Sequence, residues 1–190
     1  MKIFNLEKIK ICTFQSLNRV QVFKKLGIIQ KHRITNLNLK TMEEKSIGLL
    51  NKLVEINNDR LLGYETAFND TEDTDLKKLF ADFSVTSKDL KKELQSEITK
   101  LGGKPSEDSH VTGTLHRVWM DLKSAISGKS RATILSSCEF GDNTAIEAYD
   151  KALADSTYNL TSAQKTMIMN EQMRIQSDLN KVKILQSVLA

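Results

Sequence analysis

The sequence predicts an all-α fold: a bundle of four long helices with one long crossover between the second and third. Three observations predict it. Helix formers such as Lys, Glu and Leu abound, and 190 residues contain one proline and eight glycines, too few for a loop-rich β-sandwich. Apolar residues recur at intervals of three, four and seven. The recurrent stretches are bounded by capping and stop signals. Aromatic residues make up 6% of the chain, so the core is expected to be mostly aliphatic.

The first helix is predicted over about 42–70. Thr41-Met-Glu-Glu44 reads as a capping box, in which the hydroxyl accepts from the turn and Glu44 reaches back. Ile47, Leu50, Val54, Leu61 and Phe68 form its apolar stripe. The run Asn69 to Thr74 is a turn. The second helix, about 75–101, carries Leu76, Leu79, Phe80, Phe83, Leu90, Leu94, Ile98 and Leu101. Gly102-Gly103 supplies a left-handed stop, and Pro105 prevents resumption. A shorter helix over about 113–127 carries Leu115, Val118, Trp119, Leu122 and Ile126. The third long helix, about 130–154, carries Ile134, Cys138, Ala145, Ile146, Tyr149 and Leu153. A second capping box, Thr161-Ser-Ala-Gln164, opens the fourth over about 162–189, with Met167, Ile168, Ile175, Leu179, Val182, Leu185 and Leu189.

Short loops make the first and second helices one antiparallel hairpin, and the third and fourth another. The link between the hairpins is long enough to travel the length of the bundle. This wiring is ferritin-like rather than up-down-up-down.

Charge divides the chain. Residues 1–40 hold nine Lys/Arg and one acid, a net +8; residues 41–190 hold 19 Lys/Arg against 23 Asp/Glu, a net −4. A basic N-terminal extension over 1–41 and a bundle over 42–190 are therefore expected. Three readings of the extension stay open. It is a nucleic-acid or membrane-surface arm, a targeting segment, or an upstream extension apart from the working protein. No apolar core of a secretory signal follows the early lysines. No apolar run approaches the ~18 residues of a bilayer-crossing helix, so no membrane span is expected. Cys12 and Cys138 follow no CxxC spacing. A reducing, cytoplasmic setting is expected, with Cys138 as a small core residue.

The segment Gly113-Thr-Leu-His116-Arg117-Val-Trp119-Met-Asp121-Leu-Lys-Ser-Ala-Ile-Ser-Gly128 resembles the signature of a bacterial family of ferritin-like four-helix-bundle proteins of unknown function. Leu61-Leu-Gly-Tyr64-Glu65 resembles that family's first helix. Leu101-Gly-Gly-Lys-Pro105 resembles the end of its second. Cys138-Glu139-Phe-Gly-Asp142 with Ala145-Ile-Glu-Ala-Tyr149 resembles its third. The resemblance covers about 42–187. It implies the fold and no settled activity.

Ferritin-like bundles often hold two metals at mid-height, with a Glu from each of two helices and Glu-x-x-His from each of the others. Counting from one end of this bundle puts Asn57 and Asn58, Ser87, Asp142 and Glu171 at nearly one level, each interrupting an apolar stripe. The donors there are poor. No histidine lies in a long helix: His32 is in the extension, His110 in a loop and His116 in the crossover. Glu139, Asp142 and Glu171 are the only metal candidates, and Arg174 nearby would repel a cation. The expectation is no bound cofactor. Instead Asn58, Ser87, Asp142, Glu171 and Arg174 are expected to form a polar layer, with Arg174 paired to Asp142 or Glu171. Iron or manganese at a degenerate site is the alternative.

In the crossover, His116, Arg117, Trp119 and Asp121 admit two readings. Trp119 seals the short helix onto the bundle while Arg117 and Asp121 pair at the surface, or Trp119 anchors a partner. No phosphate loop, GxSxG or HExxH is present, so no catalytic residues are assigned. The function expected is a non-enzymatic bundle acting through an unknown protein partner or homo-oligomerisation. Stress physiology enters only by analogy with ferritin-like proteins. Nucleic acid is a partner only through residues 1–40, if at all.

Overall fold

A computed structural model describes residues 39–107, 126 and 130–189. The chain divides into two compact units, Met1–Glu43 and Glu44–Ala190. The second holds the bundle except for residues 39–43 at the start of its first helix. Four long helices make it up: α1 (39–70), α2 (Thr74–Lys100), α3 (Arg131–Ala154) and α4 (Ser162–Leu189). There is no strand among the described residues.

Cross-contacts fix the directions. Asn58 meets Lys91 and Arg60 meets Ser87, so α1 and α2 are antiparallel. Tyr149 meets Glu171 and Glu139 meets Gln186, so α3 and α4 are antiparallel. Asn57 meets Tyr149 and Arg60 meets Asp142, which sets α3 antiparallel to α1 as well. Hence α2 and α3 run the same way, and the chain leaves α2 at one end of the bundle and enters α3 at the other. The described start of this link lies along α1. Asn51 donates to the Lys104 carbonyl at 3.2 Å and accepts from the Ser106 amide at 2.7 Å. At Gly103 an added Cβ would stand 2.8 Å from Ile47, so the close approach requires glycine.

Local chemistry sets the helix ends. Asp73 caps α2 by accepting from the amides of Asp75 and Leu76 at 2.9 and 3.1 Å. The other end is a Schellman motif. The Gly103 amide donates to the Ile98 carbonyl and the Gly102 amide to the Thr99 carbonyl, with Gly102 at φ 74°. Between α3 and α4 a 3₁₀ turn, Ser156–Tyr158, ends on Asn159 at φ 47°. The expected capping box at Thr161 forms in both directions: Gln164 accepts from the Thr161 amide at 3.0 Å, and Thr161 accepts from the Gln164 amide at 3.2 Å.

The box expected at Thr41 does not open α1. The helix already runs through residues 39–41, so Thr41 is an interior residue. The α1 stripe also differs. Leu61 is half-buried and Phe68 is 40% exposed, while the inward row runs Leu50, Leu53, Asn57, Arg60, Tyr64, Ala67. That row keeps three- and four-residue spacing but passes through two polar side chains. The α2 stripe is as expected: every member from Leu76 to Ile98 is buried, with Leu101 half-buried.

The buried apolar residues form two clusters. One, toward the α3–α4 turn, is chiefly aliphatic: Leu50, Leu53, Leu90, Leu94, Ile98, Ile168 and Ile175 are among its members. The other, toward the α1–α2 turn, is aromatic: Tyr64, Phe80 and Phe83 pack with Leu76, Ile134, Leu135, Cys138 and Val182. Each fully buried Leu or Phe contributes roughly 1.5–3 kcal/mol. The polar groups of the bundle centre stand between and beside these clusters.

Of the crossover helix only Ile126 is described; it is helical and packs beside the aromatic cluster. The readings of His116, Arg117, Trp119 and Asp121 fall outside the described residues, as do those of His32, His110 and the extension up to residue 38.

Candidate functional site

The bundle centre is built around Arg60, whose side chain is fully buried. Its Nε and Nη2 donate to Asp142 Oδ1 at 3.1 and 2.9 Å, and its Nη1 donates to Ser87 Oγ at 3.0 Å. Nη2 also lies 3.6 Å from Asp178 Oδ2. One guanidinium therefore ties α1 to all three other helices. The Tyr64 hydroxyl donates to the same Asp142 oxygen at 2.8 Å. The Tyr64 ring stacks on Phe80 and meets Phe83 edge-on, and Arg60 lies 5.5 Å from its centroid. The charges close to balance, since half-exposed Lys181 reaches Asp178 Oδ1 at 3.2 Å.

Burial opposes the Arg60 charge, but Asp142 foremost, with Asp178, more than offsets it and holds the proton more firmly than on an ordinary arginine. Burial likewise pushes Asp142 above its usual range, against the pull of Arg60 and Tyr64. The carboxyl rather than the guanidinium is thus the member of the pair that loses its charge first. Burial, with Asp142 behind it, also pushes the Cys138 thiol well up. This thiol is fully buried and unreactive in character.

A second polar group lies toward the aliphatic cluster. Asn57 Nδ2 donates to the Tyr149 hydroxyl at 2.6 Å, and that hydroxyl donates to Glu171 Oε2 at 3.0 Å. No charge is required to hold it together. Glu171 is 1% exposed. Burial, reinforced by Glu93 and opposed by Tyr149 and Arg174, raises its carboxyl to about 8.

The expected layer is therefore split. Ser87 and Asp142 do come together, through Arg60. Glu171 does not join them, because α4 contributes Asp178, two helical turns further along, to that level. Asn58 accepts from Lys91 at the edge between α1 and α2. Arg174 pairs with neither Asp142 nor Glu171. It lies half-exposed against Glu93 at 2.8 Å and Asp89 at 3.4 Å on α2. Glu139 faces α4 at the surface, accepting from Gln186 at 3.0 Å with Lys183 at 3.9 Å. Arg60 and Asp178 escaped sequence reasoning. The continued spacing Leu53, Asn57, Arg60, Tyr64, Ala67 was the signal that points Arg60 inward.

These residues do not fit a di-metal centre. The two mid-level carboxylates already face a guanidinium, which repels a cation, and the third lies in the separate Tyr149 group. Among the described residues no three His, Cys, Asp or Glu are placed to hold a metal. Among the described residues, Asp142 Oδ2, Asp178 Oδ2, Glu171 Oε1 and Asn57 Oδ1 are buried without a hydrogen-bond donor. They make the centre polar beyond its direct contacts.

Residues 45–155, more than half of the chain, match the domain of unknown function DUF2383. The chain belongs to the DUF2383 family. The match takes in α1 from Lys45, α2, the crossover and α3, and ends at Asp155 before α4. Arg60, Ser87 and Asp142 thus lie inside the DUF2383 region, whereas Glu171 and Asp178 lie beyond it. No curated protein matches the chain. No described helix is long and apolar enough to cross a membrane.

Proposed function

We propose that this DUF2383 protein is a ferritin-like bundle in which an arginine stands where a di-metal centre would, and that it works without catalysis, through contacts of its outer surface with protein. The observation that carries this reading is the fully buried Arg60 guanidinium held by Asp142 and Ser87 and facing Asp178. A cation fixed there makes the centre a cross-brace and leaves no open coordination position for chemistry. The parallel run of α2 and α3 supports the ferritin-like wiring. Residues 1–41 are, in this reading, a basic extension outside the bundle's work. Buried Cys138 suits a reducing cytoplasmic setting.

Elemental analysis of protein purified without a histidine tag tests the reading. Iron and manganese are expected far below one ion per chain. Near-stoichiometric metal, lost on Asp142→Ala or Glu171→Ala, overturns it in favour of a degenerate metal-binding bundle.

A further inference from the structure

The outward face of α4 carries a pattern the bundle does not use. Met169, Met173, Ile184 and Val188 are 52%, 68%, 62% and 78% exposed. With exposed Ser177 and Asn180 they fall on one stripe of the helix at 100° per residue. The stripe carries no charge, in a chain that is 27% charged. The cations beside it are met within the chain: Arg174 by Glu93 and Asp89, Lys181 by Asp178, Lys183 by Glu139. The described start of the crossover lies along α1, which is diagonal to α4 in the bundle.

The order of residues along the stripe is palindromic in polarity. About a point between Asp178 and Leu179, Ser177 mirrors Asn180, Met173 mirrors Ile184 and Met169 mirrors Val188. An antiparallel copy of the same helix sets apolar against apolar at both ends and polar against polar in the middle. An isologous two-fold contact requires this self-complementarity, and an unrelated partner does not. Antiparallel helix dipoles favour that orientation over a parallel one.

We infer that α4 is a homodimer seam: two copies of this chain pair antiparallel through Met169, Met173, Ser177, Asn180, Ile184 and Val188. This deepens the proposed function, on which it rests, by naming the partner and the surface. From Met169 to Val188 the seam is about 29 Å long and one helix, roughly 10–12 Å, wide. That footprint is smaller than the ~800 Å² per partner of a standard interface. The dimer is therefore weak and forms reversibly as concentration rises.

Cysteine cross-linking of the full chain, in a Cys12→Ser background, reads the orientation. Ser177→Cys lies beside the two-fold axis and should oxidise to a disulfide dimer. Met169→Cys lies at the seam's far end, about 29 Å along the axis from its copy, and should not. Sedimentation over a concentration series should show association in the wild type. Met173→Glu and Ile184→Glu should each weaken it at least tenfold, with helicity and melting unchanged since both positions are exposed. Equal cross-linking at the two positions, or none, overturns the antiparallel seam, as does association that survives both Glu variants. In that last case self-association stands through another surface, and the proposed function is untouched. A strict monomer at every concentration overturns the seam and leaves the proposed contacts to a different protein. The metal analysis above tests the proposed function independently.

Discussion

Two polar groups share the centre of this bundle and are built on opposite principles. Around Arg60, charge is paired with charge: a guanidinium faces Asp142 and Asp178 and is hydrogen-bonded to Ser87. Around Tyr149, neutral groups are strung together, and Glu171 is kept protonated near neutrality because burial, with Glu93 behind it, outweighs the Tyr149 hydrogen bond and the pull of Arg174. The comparison teaches that a carboxyl at the centre of a bundle takes its state from its neighbours. Asp142 has a cation and three hydrogen bonds to one oxygen. Glu171 has one hydroxyl.

Breaking the charged group should have the largest effect. Arg60→Met leaves Asp142 buried without its cation and Asp178 with half-exposed Lys181 alone, and should cost about 3–5 kcal/mol. Replacing Arg60 and Asp142 together with apolar residues should recover much of that loss, since paired removal of a buried ion pair is often near neutral. Urea unfolding of the single and double variants measures both. A single variant within about 1 kcal/mol of the wild type would show that the guanidinium is not the brace described here.

The neutral group should show itself through pH. The Glu171 carboxyl sits at about 8 in the folded chain against an ordinary 4.5. Between those values the folded state holds a proton that the unfolded state has released. Wild-type stability from this group is therefore fully present below about pH 4.5 and declines as pH rises toward 8, by up to ~1.4 kcal/mol per unit. Glu171→Gln cannot titrate. It should match the wild type near pH 5 and exceed it by a few kcal/mol near pH 8.5, as read by unfolding midpoints across that range. Parallel pH profiles would refute the protonated state.

Tyr149→Phe should cost less, about 1–3 kcal/mol. It removes one hydroxyl that serves both Asn57 and Glu171, leaving two buried groups short of a partner. Calorimetry of this variant beside Glu171→Gln sharpens the comparison: the two changes should be non-additive, because they act in one network. The smallest effect belongs to Arg174→Ala. Its ion pairs with Glu93 and Asp89 are half-exposed, and the change should stay below about 1 kcal/mol. A loss as large as that of Arg60→Met would restore Arg174 to the central layer.

Helix boundaries and apolar faces were largely legible without coordinates. The α2 stripe, its glycine stop and the Thr161 capping box follow from local rules, because backbone hydrogen-bonding needs and glycine's freedom at positive φ act over four or five residues. Thr41 obeyed the same local pattern and still failed as a cap, since the helix continues upstream of it. The candidate site was only half legible. Ser87 and Asp142 stood out as interruptions of apolar stripes. Arg60 did not, because a charged residue is assigned to the outside by default.

Spacing along the chain was enough for four amphipathic helices, the ends of most of them and part of the polar set buried among them. Which of these residues meet is set by how the helices pack. Level and rotation of α4 against α1 choose Asp178 over Glu171 for the arginine, and they turn Arg174 out to Glu93. A shift of two helical turns, about 11 Å, leaves each helix's own pattern intact. It changes every electrostatic partner, because Coulomb interactions between buried groups are settled over a few ångströms across helices. Spacing within one helix carries no record of that register.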